Sequence, residues 1–99
     1  MTKINDYVRH SRTAAEPSPG LPAAPAHKVA IVTCMDARVD PVAILGIGSG
    51  DAHVLRNAGG VITQDVIRSL AMSQNLLGTR DVMVIQHTNC GMSQLDEDA

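Results

Sequence analysis

The stretch Val29-Ala30-Ile31-Val32-Thr33 is a continuous run of apolar and β-branched residues, which is typical of a strand buried on both faces. Two further short apolar runs follow along the chain, Ala52–Arg56 and Val82–Gln86. His53 lies among apolar neighbours in the second run, and we predict a structural, hydrogen-bonded histidine there. The three runs predict three strands of one sheet.

Helical segments separate these strands. Asp40 and Pro41 have the residue types of an N-cap and a first helical position, so a short helix is expected through Leu45. Residues 62–77 carry an apolar stripe at helical spacing, and Gly78 is suited to end that helix. The alternation of strand and helix predicts an α/β fold, with a parallel sheet of at least three strands in the order 2-1-3, flanked by helices.

The N-terminal part of the chain has a different composition. Residues 4–15 are predicted to form a short polar helix, and residues 16–26 form a Pro/Ala-rich linker. We therefore divide the chain into an N-terminal arm and linker, residues 1–27, and an α/β domain, residues 28–99. A disordered tail is the alternative interpretation of the arm.

Composition narrows the classes of function. The 99 residues carry a formal charge of −2, with Tyr7 as the one aromatic residue, so neither a basic stripe nor a stacking surface for nucleic acid is present. The sequence contains no signal-peptide run and no stretch suited to a membrane span, which favours a cytoplasmic protein without a membrane partner. In a reducing compartment its two cysteines are expected to be metal ligands or thiols.

Two distant segments contain metal-binding residue types. Cys34 directly follows the first predicted strand, His87 directly follows the third, and Cys90 comes three residues later. Two thiolates and one imidazole suit zinc and leave a fourth tetrahedral position open, as in catalytic zinc sites. Asp36 and Arg38 flank the first ligand. An ordinary buried Cys34, a Cys34–Cys90 disulfide and a surface Asp36–Arg38 ion pair remain the alternatives.

These motifs resemble those of the β-class carbonic anhydrases. The resemblance rests on Cys34-Met35-Asp36-Ala37-Arg38, on Arg56-Asn57-Ala58-Gly59, on residues 65–70 of the helix, and on His87-Thr88-Asn89-Cys90-Gly91. It extends from about Lys28 to Met92 and covers the N-terminal half to two thirds of a family member. We accordingly expect a domain truncated at its C-terminus and incomplete.

The resemblance implies a function and roles for particular residues. It implies reversible hydration of carbon dioxide to bicarbonate, with one zinc ion per chain held by Cys34, His87 and Cys90. Asp36 and Arg38 would form a catalytic pair. Our alternative hypothesis is that Asp36 instead coordinates zinc as the fourth ligand, in a closed and inactive state. It also implies a homodimer or a higher homo-oligomer, with the N-terminal helix packed on the neighbouring chain.

Other functions fit the same motifs. A fragment or remnant that binds zinc without catalysis is one, and a carbon disulfide or carbonyl sulfide hydrolase of the same fold is another. A redox-sensing or metal-sensing module is a further alternative. Metal content and substrate assays separate these classes.

Overall fold

The computed structural model describes residues 2–13 and 20–88. Its elements follow the order that the hydrophobic pattern predicted, with a short 3-10 turn added after the second strand. They are α1 (Lys3–Thr13), β1 (Val29–Cys34), α2 (Pro41–Leu45), β2 (Ala52–Asn57), the 3-10 turn (Ala58–Gly60), α3 (Gln64–Leu77) and β3 (Asp81–Ile85).

The three strands form one parallel sheet in the order β2-β1-β3, so the predicted fold class and strand order are confirmed. Val29 of β1 pairs with Ala52 on one side and with Asp81 on the other. Since β1 has a neighbour on both sides, its carboxyl end is flanked by the segments that follow β2 and β3. This is the edge of a parallel sheet at which ligands usually bind.

The core is centred on β1. Residues 30–34 of this strand are all buried, as the apolar run predicted. The flanking strands are more open, and three apolar side chains of β3 are 38–45% exposed: Val82, Met83 and Val84. The buried strand thus fixes the middle of the sheet, and both neighbouring strands lie at its borders.

Side chains and glycines set the helix ends. Asp40 caps α2 by accepting a hydrogen bond from Val42 N, as predicted. Helix α3 begins at Gln64 because Thr63 has extended backbone angles and its hydroxyl accepts from Val66 N; the predicted start at Ile62 was therefore wrong by two residues. Gly78 ends α3 with φ 76°, as expected for a C-terminal glycine.

The N-terminal segment is partly in contact with the sheet. No residue of α1 is buried, and residues 14 and 15 of the predicted arm helix lie outside the described residues. In the linker, Ala26 N donates to Gly50 O (2.8 Å) and His27 N donates to Asp51 O (2.9 Å). The division at residue 28 stays a prediction. Among the described residues, no helix combines the length and the apolar character needed to cross a bilayer.

Candidate functional site

The predicted ligand segments emerge at the same edge of the sheet. Cys34 is the last residue of β1, 1% exposed, and it pairs with Asn57 of β2. On the other side, Thr33 pairs with Ile85, the last residue of β3, and His87 follows two residues later. Strand pairing therefore brings together two segments that are far apart in the sequence.

Asp36 and Arg38 form a bidentate ion pair beside Cys34. Arg38 Nε donates to Asp36 Oδ1 at 3.0 Å, and Arg38 Nη2 donates to Oδ2 at 2.6 Å. The backbone N–H of Arg38 also donates to Oδ1, at 2.8 Å. The carboxylate is 13% exposed while its arginine partner is 63% exposed, so the pair places a shielded anion at the site under a solvated cation.

These contacts keep Asp36 ionised. The side-chain hydrogen bonds from Arg38 lower the pKa of Asp36 well below its usual value, and the backbone hydrogen bond adds to the effect. Partial desolvation acts in the opposite direction, and the charges of Arg38 and His87 lower the pKa further. Asp36 is thus a permanent hydrogen-bond acceptor over the whole neutral range.

The Cys34 thiol lies at the end of β1, next to the loop that carries Asp36. The N–H of Asp36 points to Cys34 Sγ at 3.4 Å, the kind of contact that stabilises a thiolate bound to a metal. Met35 N donates to Asn57 O at 2.7 Å, which attaches the start of this loop to the end of β2. The sulfur is therefore held by a backbone that has little freedom to move.

One ring nitrogen of His87 has the state that a metal ligand requires. Its Nδ1 lies 3.1 Å from the carbonyl oxygen of Thr88, which can only accept, so Nδ1 carries the hydrogen. In the neutral ring Nε2 then has the lone pair. Nε2 is buried and has no hydrogen-bond partner among the described residues. A buried nitrogen in this state is suited to coordinate a metal ion.

The donor set fits zinc as far as the structure describes it. A thiol and an imidazole nitrogen are ligands that zinc prefers. Across residues 2–13 and 20–88, no group of three or more His, Cys, Asp or Glu side chains is close enough to hold a metal. Cys90, the predicted third ligand, lies outside the described residues, so the complete ligand set stays a prediction.

Arg56 is a site residue to which sequence reasoning assigned no role. Its guanidinium donates to three backbone carbonyls of the loop after β1, at Cys34 (3.0 Å), Asp36 (2.9 Å) and Val39 (2.7 Å). The signal available in the sequence was a positively charged residue at the end of the second predicted strand, which is otherwise mostly apolar and lies next to the strand that leads to Cys34.

The turn after β2 packs against the same edge of the sheet. Gly60 is buried, and a Cβ built on it would lie 3.0 Å from Cys34 N and 3.2 Å from Ile85 O. Asn57 holds this turn because its side chain both donates to Val61 O and accepts from Val61 N. Gln86 adds a hydrogen bond from Nε2 to Gly60 O, so all three strand ends are joined here.

An open cleft of about 360 Å³ lies between β2 and α3. Its walls include His53, Arg68 and Met72, and no predicted site residue lines it. The chemistry-bearing side chains are therefore gathered at the edge of the sheet and not in this cleft.

Comparison with known proteins agrees with this geometry. A family model described as carbonic anhydrase matches residues 29–99. β-Carbonic anhydrase 1 of Mycobacterium tuberculosis is 52% identical over 99 residues, which is 99% of this chain. The chain belongs to the β-carbonic anhydrase family. It spans 61% of the length of that relative.

Other β-carbonic anhydrases share the fold of this chain. The crystal structure of carbonic anhydrase from Streptococcus mutans superposes with a TM-score of 0.83 at 42% identity, covering 96% of this chain and 58% of that one. The chain is also similar to an enzyme that is named for another reaction. Carbon disulfide hydrolase of Saccharolobus solfataricus is 50% identical over 68 residues, which is 69% of this chain and 33% of the hydrolase.

Proposed function

We propose that this protein is a zinc-dependent carbonic anhydrase, a lyase that interconverts carbon dioxide and bicarbonate. The observation that carries the proposal is the shielded Asp36 carboxylate beside Cys34, at the edge where the buried His87 Nε2 has no partner within the described part of the chain. Membership in the β-carbonic anhydrase family supports the same conclusion.

The proposed ligands are Cys34, His87 and Cys90, which would hold one zinc ion per chain. Zinc bound with an open coordination position supplies a water that ionises near neutral pH and can attack carbon dioxide. Asp36, as a permanent acceptor, would receive a hydrogen bond from the nucleophile and orient it. Arg38 would hold the carboxylate in that orientation through its planar fork.

The closed state is the alternative role for Asp36, in which its carboxylate occupies the fourth zinc position. Both oxygens of Asp36 are engaged by Arg38 in this structure, which supports the open arrangement. A zinc-bound crystal structure would decide between the two. A carboxylate oxygen within coordinating distance of zinc would assign the closed state.

The function is tested by stopped-flow hydration of carbon dioxide, with zinc quantified on the same sample. We expect Cys34→Ala and His87→Ala to lose both zinc and activity. Asp36→Asn should retain zinc and reduce the rate by about 100-fold, because it leaves the nucleophile poorly oriented. Asp81→Asn is the matched control, since Asp81 is exposed at the opposite end of β3. Full activity without bound zinc would reject the proposal.

Carbon disulfide hydrolysis is a second candidate, favoured by the 50% identity to the Saccharolobus solfataricus enzyme. The zinc motifs do not separate it from carbon dioxide hydration. Parallel assays with carbon disulfide, carbonyl sulfide and carbon dioxide rank the substrates. Stoichiometric zinc without turnover of any of them would instead identify a zinc-binding but inactive chain.

We propose a homodimer or a higher homo-oligomer as the assembly. Ile4, Tyr7 and Val8 of α1 are 69%, 69% and 44% exposed, which is unfavourable for an isolated helix in water. A second copy would cover these side chains. We propose a cytoplasmic location as well, because zinc ligation by Cys34 and Cys90 requires reduced thiols, which a reducing compartment maintains.

A further inference from the structure

We propose that Arg56 is a positioning residue that sets the shape of the loop carrying Cys34 and Asp36. This inference rests on the proposed function, because it assigns to Arg56 the task of preparing that loop for zinc and for the Asp36 acceptor. The residue itself touches neither the metal ligands' side-chain atoms nor the Asp36 carboxylate in its recorded hydrogen bonds.

The Arg56 side chain makes three hydrogen bonds to backbone carbonyls around the loop after β1. Arg56 Nε donates to Cys34 O at 3.0 Å, while Nη2 donates to Asp36 O at 2.9 Å and to Val39 O at 2.7 Å. These carbonyls lie at the start, middle and end of the loop between β1 and α2. One guanidinium thus fixes the whole loop, and each hydrogen bond is strengthened by the positive charge.

Arg56 lies in β2, beside the carboxyl end of β1. It pairs with Thr33 in the β1–β2 register, immediately before the Cys34–Asn57 pair. Its side chain therefore starts from a rigid strand and reaches past the Met35 N–Asn57 O hydrogen bond into the rest of the loop. Groups supported from a sheet are held more precisely than groups supported from a loop.

Arg38 and Arg56 bind different groups of the same loop. Arg38 binds the Asp36 carboxylate, whereas Arg56 binds backbone oxygens. The Asp36 N–H, in the peptide unit between Met35 and Asp36, points to Cys34 Sγ, and the carbonyls of the peptide units on either side, Cys34 O and Asp36 O, both accept from Arg56. A loop that loses its three carbonyl contacts would let that peptide rotate, and the sulfur and the carboxylate would both lose their orientation.

Lysine cannot replace this arrangement. Arg56 uses two nitrogens in a fixed planar fork, Nε and Nη2, to donate to three different carbonyls. A lysine ammonium is a single point on a flexible stem and cannot reproduce that fork. Arg56→Lys should therefore keep the charge and lose the positioning.

The experiment compares Arg56→Ala and Arg56→Lys with the control Arg80→Ala, which removes an exposed arginine just before β3. Local order is measured by amide hydrogen exchange. We expect faster exchange at Met35 and Val39, whose N–H groups donate to Asn57 O and Asp36 O. The amide of Ile31, inside β1, should exchange as in the parent chain.

The metal-binding readout uses cobalt, whose visible absorption reports the geometry of thiolate and imidazole ligands. We expect both Arg56 variants to change the cobalt spectrum and to weaken zinc affinity by about 10-fold to 100-fold, as removal of groups that orient metal ligands does. Guanidinium chloride, at concentrations well below those that unfold proteins, should partly restore the spectrum of Arg56→Ala but not that of Arg56→Lys. Arg80→Ala should match the parent in both readouts.

Unchanged exchange at Met35 and Val39, together with an unchanged cobalt spectrum, would overturn the inference. Equal acceleration of exchange at Ile31 would also overturn it, because that pattern means general destabilisation. If Arg56→Ala does not fold, Arg56→Lys decides by the same criteria. A parent chain that binds zinc but hydrates no carbon dioxide would refute the proposed function, and the exchange and cobalt results would still decide the role of Arg56.

Discussion

Gly60 shows how closely the residues of the site are packed. Its φ of 64° lies in the left-handed region, and a Cβ would approach Cys34 N and Thr33 C at 3.0 Å. Both neighbours are backbone atoms of the central strand, so they cannot move aside easily. The close approach is what allows the turn after β2 to cover the carboxyl ends of β1 and β3.

We predict that Gly60→Ala destabilises the protein more than a change of backbone preference alone would. The left-handed conformation costs an alanine about 1–2 kcal/mol, and the steric contact adds about 1–3 kcal/mol. Gly46→Ala is the control, because Gly46 has a similar φ of 66° and nothing within 4 Å of its Cβ position. Urea unfolding measures both, and equal losses for the two variants would contradict the steric argument.

Some site residues could be predicted from sequence and others could not, for a physical reason. Cys34, Asp36 and Arg38 are close in sequence, and the positions of Cys34 and His87 directly after two predicted neighbouring strands carried the prediction of a site. Arg56 and Gly60 act on this segment only after β2 has paired with β1, so their contacts depend on register. Local patterns contain no information on such contacts.

At the level of elements, β2 and α3 are joined by a chain of polar side chains. His53 Nδ1 lies 2.6 Å from Ser73 Oγ, and Ser73 Oγ lies 2.6 Å from Thr79 Oγ1. His53 Nε2 lies 2.8 Å from Ala23 O, which must accept, so the ring nitrogen Nδ1 accepts from Ser73 in the neutral ring. The predicted structural role of His53 is confirmed by these contacts.

Replacement of Ser73 by alanine should break this connection. It leaves His53 Nδ1 and the Thr79 hydroxyl without their shared partner, and we expect a loss of about 1–3 kcal/mol in the free energy of unfolding. Ser69→Ala on the same helix is the control, because the Ser69 side chain makes no hydrogen bond to any residue that the structure describes and is partly exposed. The prediction fails if the two variants unfold at the same denaturant concentration.

The helical pattern located α3 but not the surface that it buries. Val66 and Ser73 are the buried residues of this helix, while Ile67 is 48% exposed although it belongs to the predicted apolar stripe. Periodicity identifies which side chains share a face. It does not specify what covers that face, because the covering surface comes from elsewhere in the fold or from another chain.

At the level of the whole molecule, exposed apolar side chains lie on α1 and on β3. A helix without buried residues is stabilised little by contacts within this chain, and among residues 2–13 and 20–88 no strand lies on the outer side of β3. Both features favour association with a further surface. The homo-oligomer proposed above accounts for the first of them.

We predict that deletion of about the first 20 residues weakens self-association, because it removes the apolar face of α1. Sedimentation velocity over a range of concentrations measures the effect. The double variant Ile4→Ser, Tyr7→Ser is the finer test, since it keeps the length of the arm and removes its apolar contacts. An unchanged oligomer mass for both variants would contradict the predicted role of the arm.

The position of β1 between its two neighbours also determines when the site can form during translation. Thr33 Oγ1 donates to Ile85 O, a partner 52 residues later in the chain. A nascent polypeptide therefore exposes Cys34 long before the segment with His87 has left the ribosome. The proposed metal capture by both segments would await that late arrival, and until then the thiol of Cys34 would be accessible to oxidants.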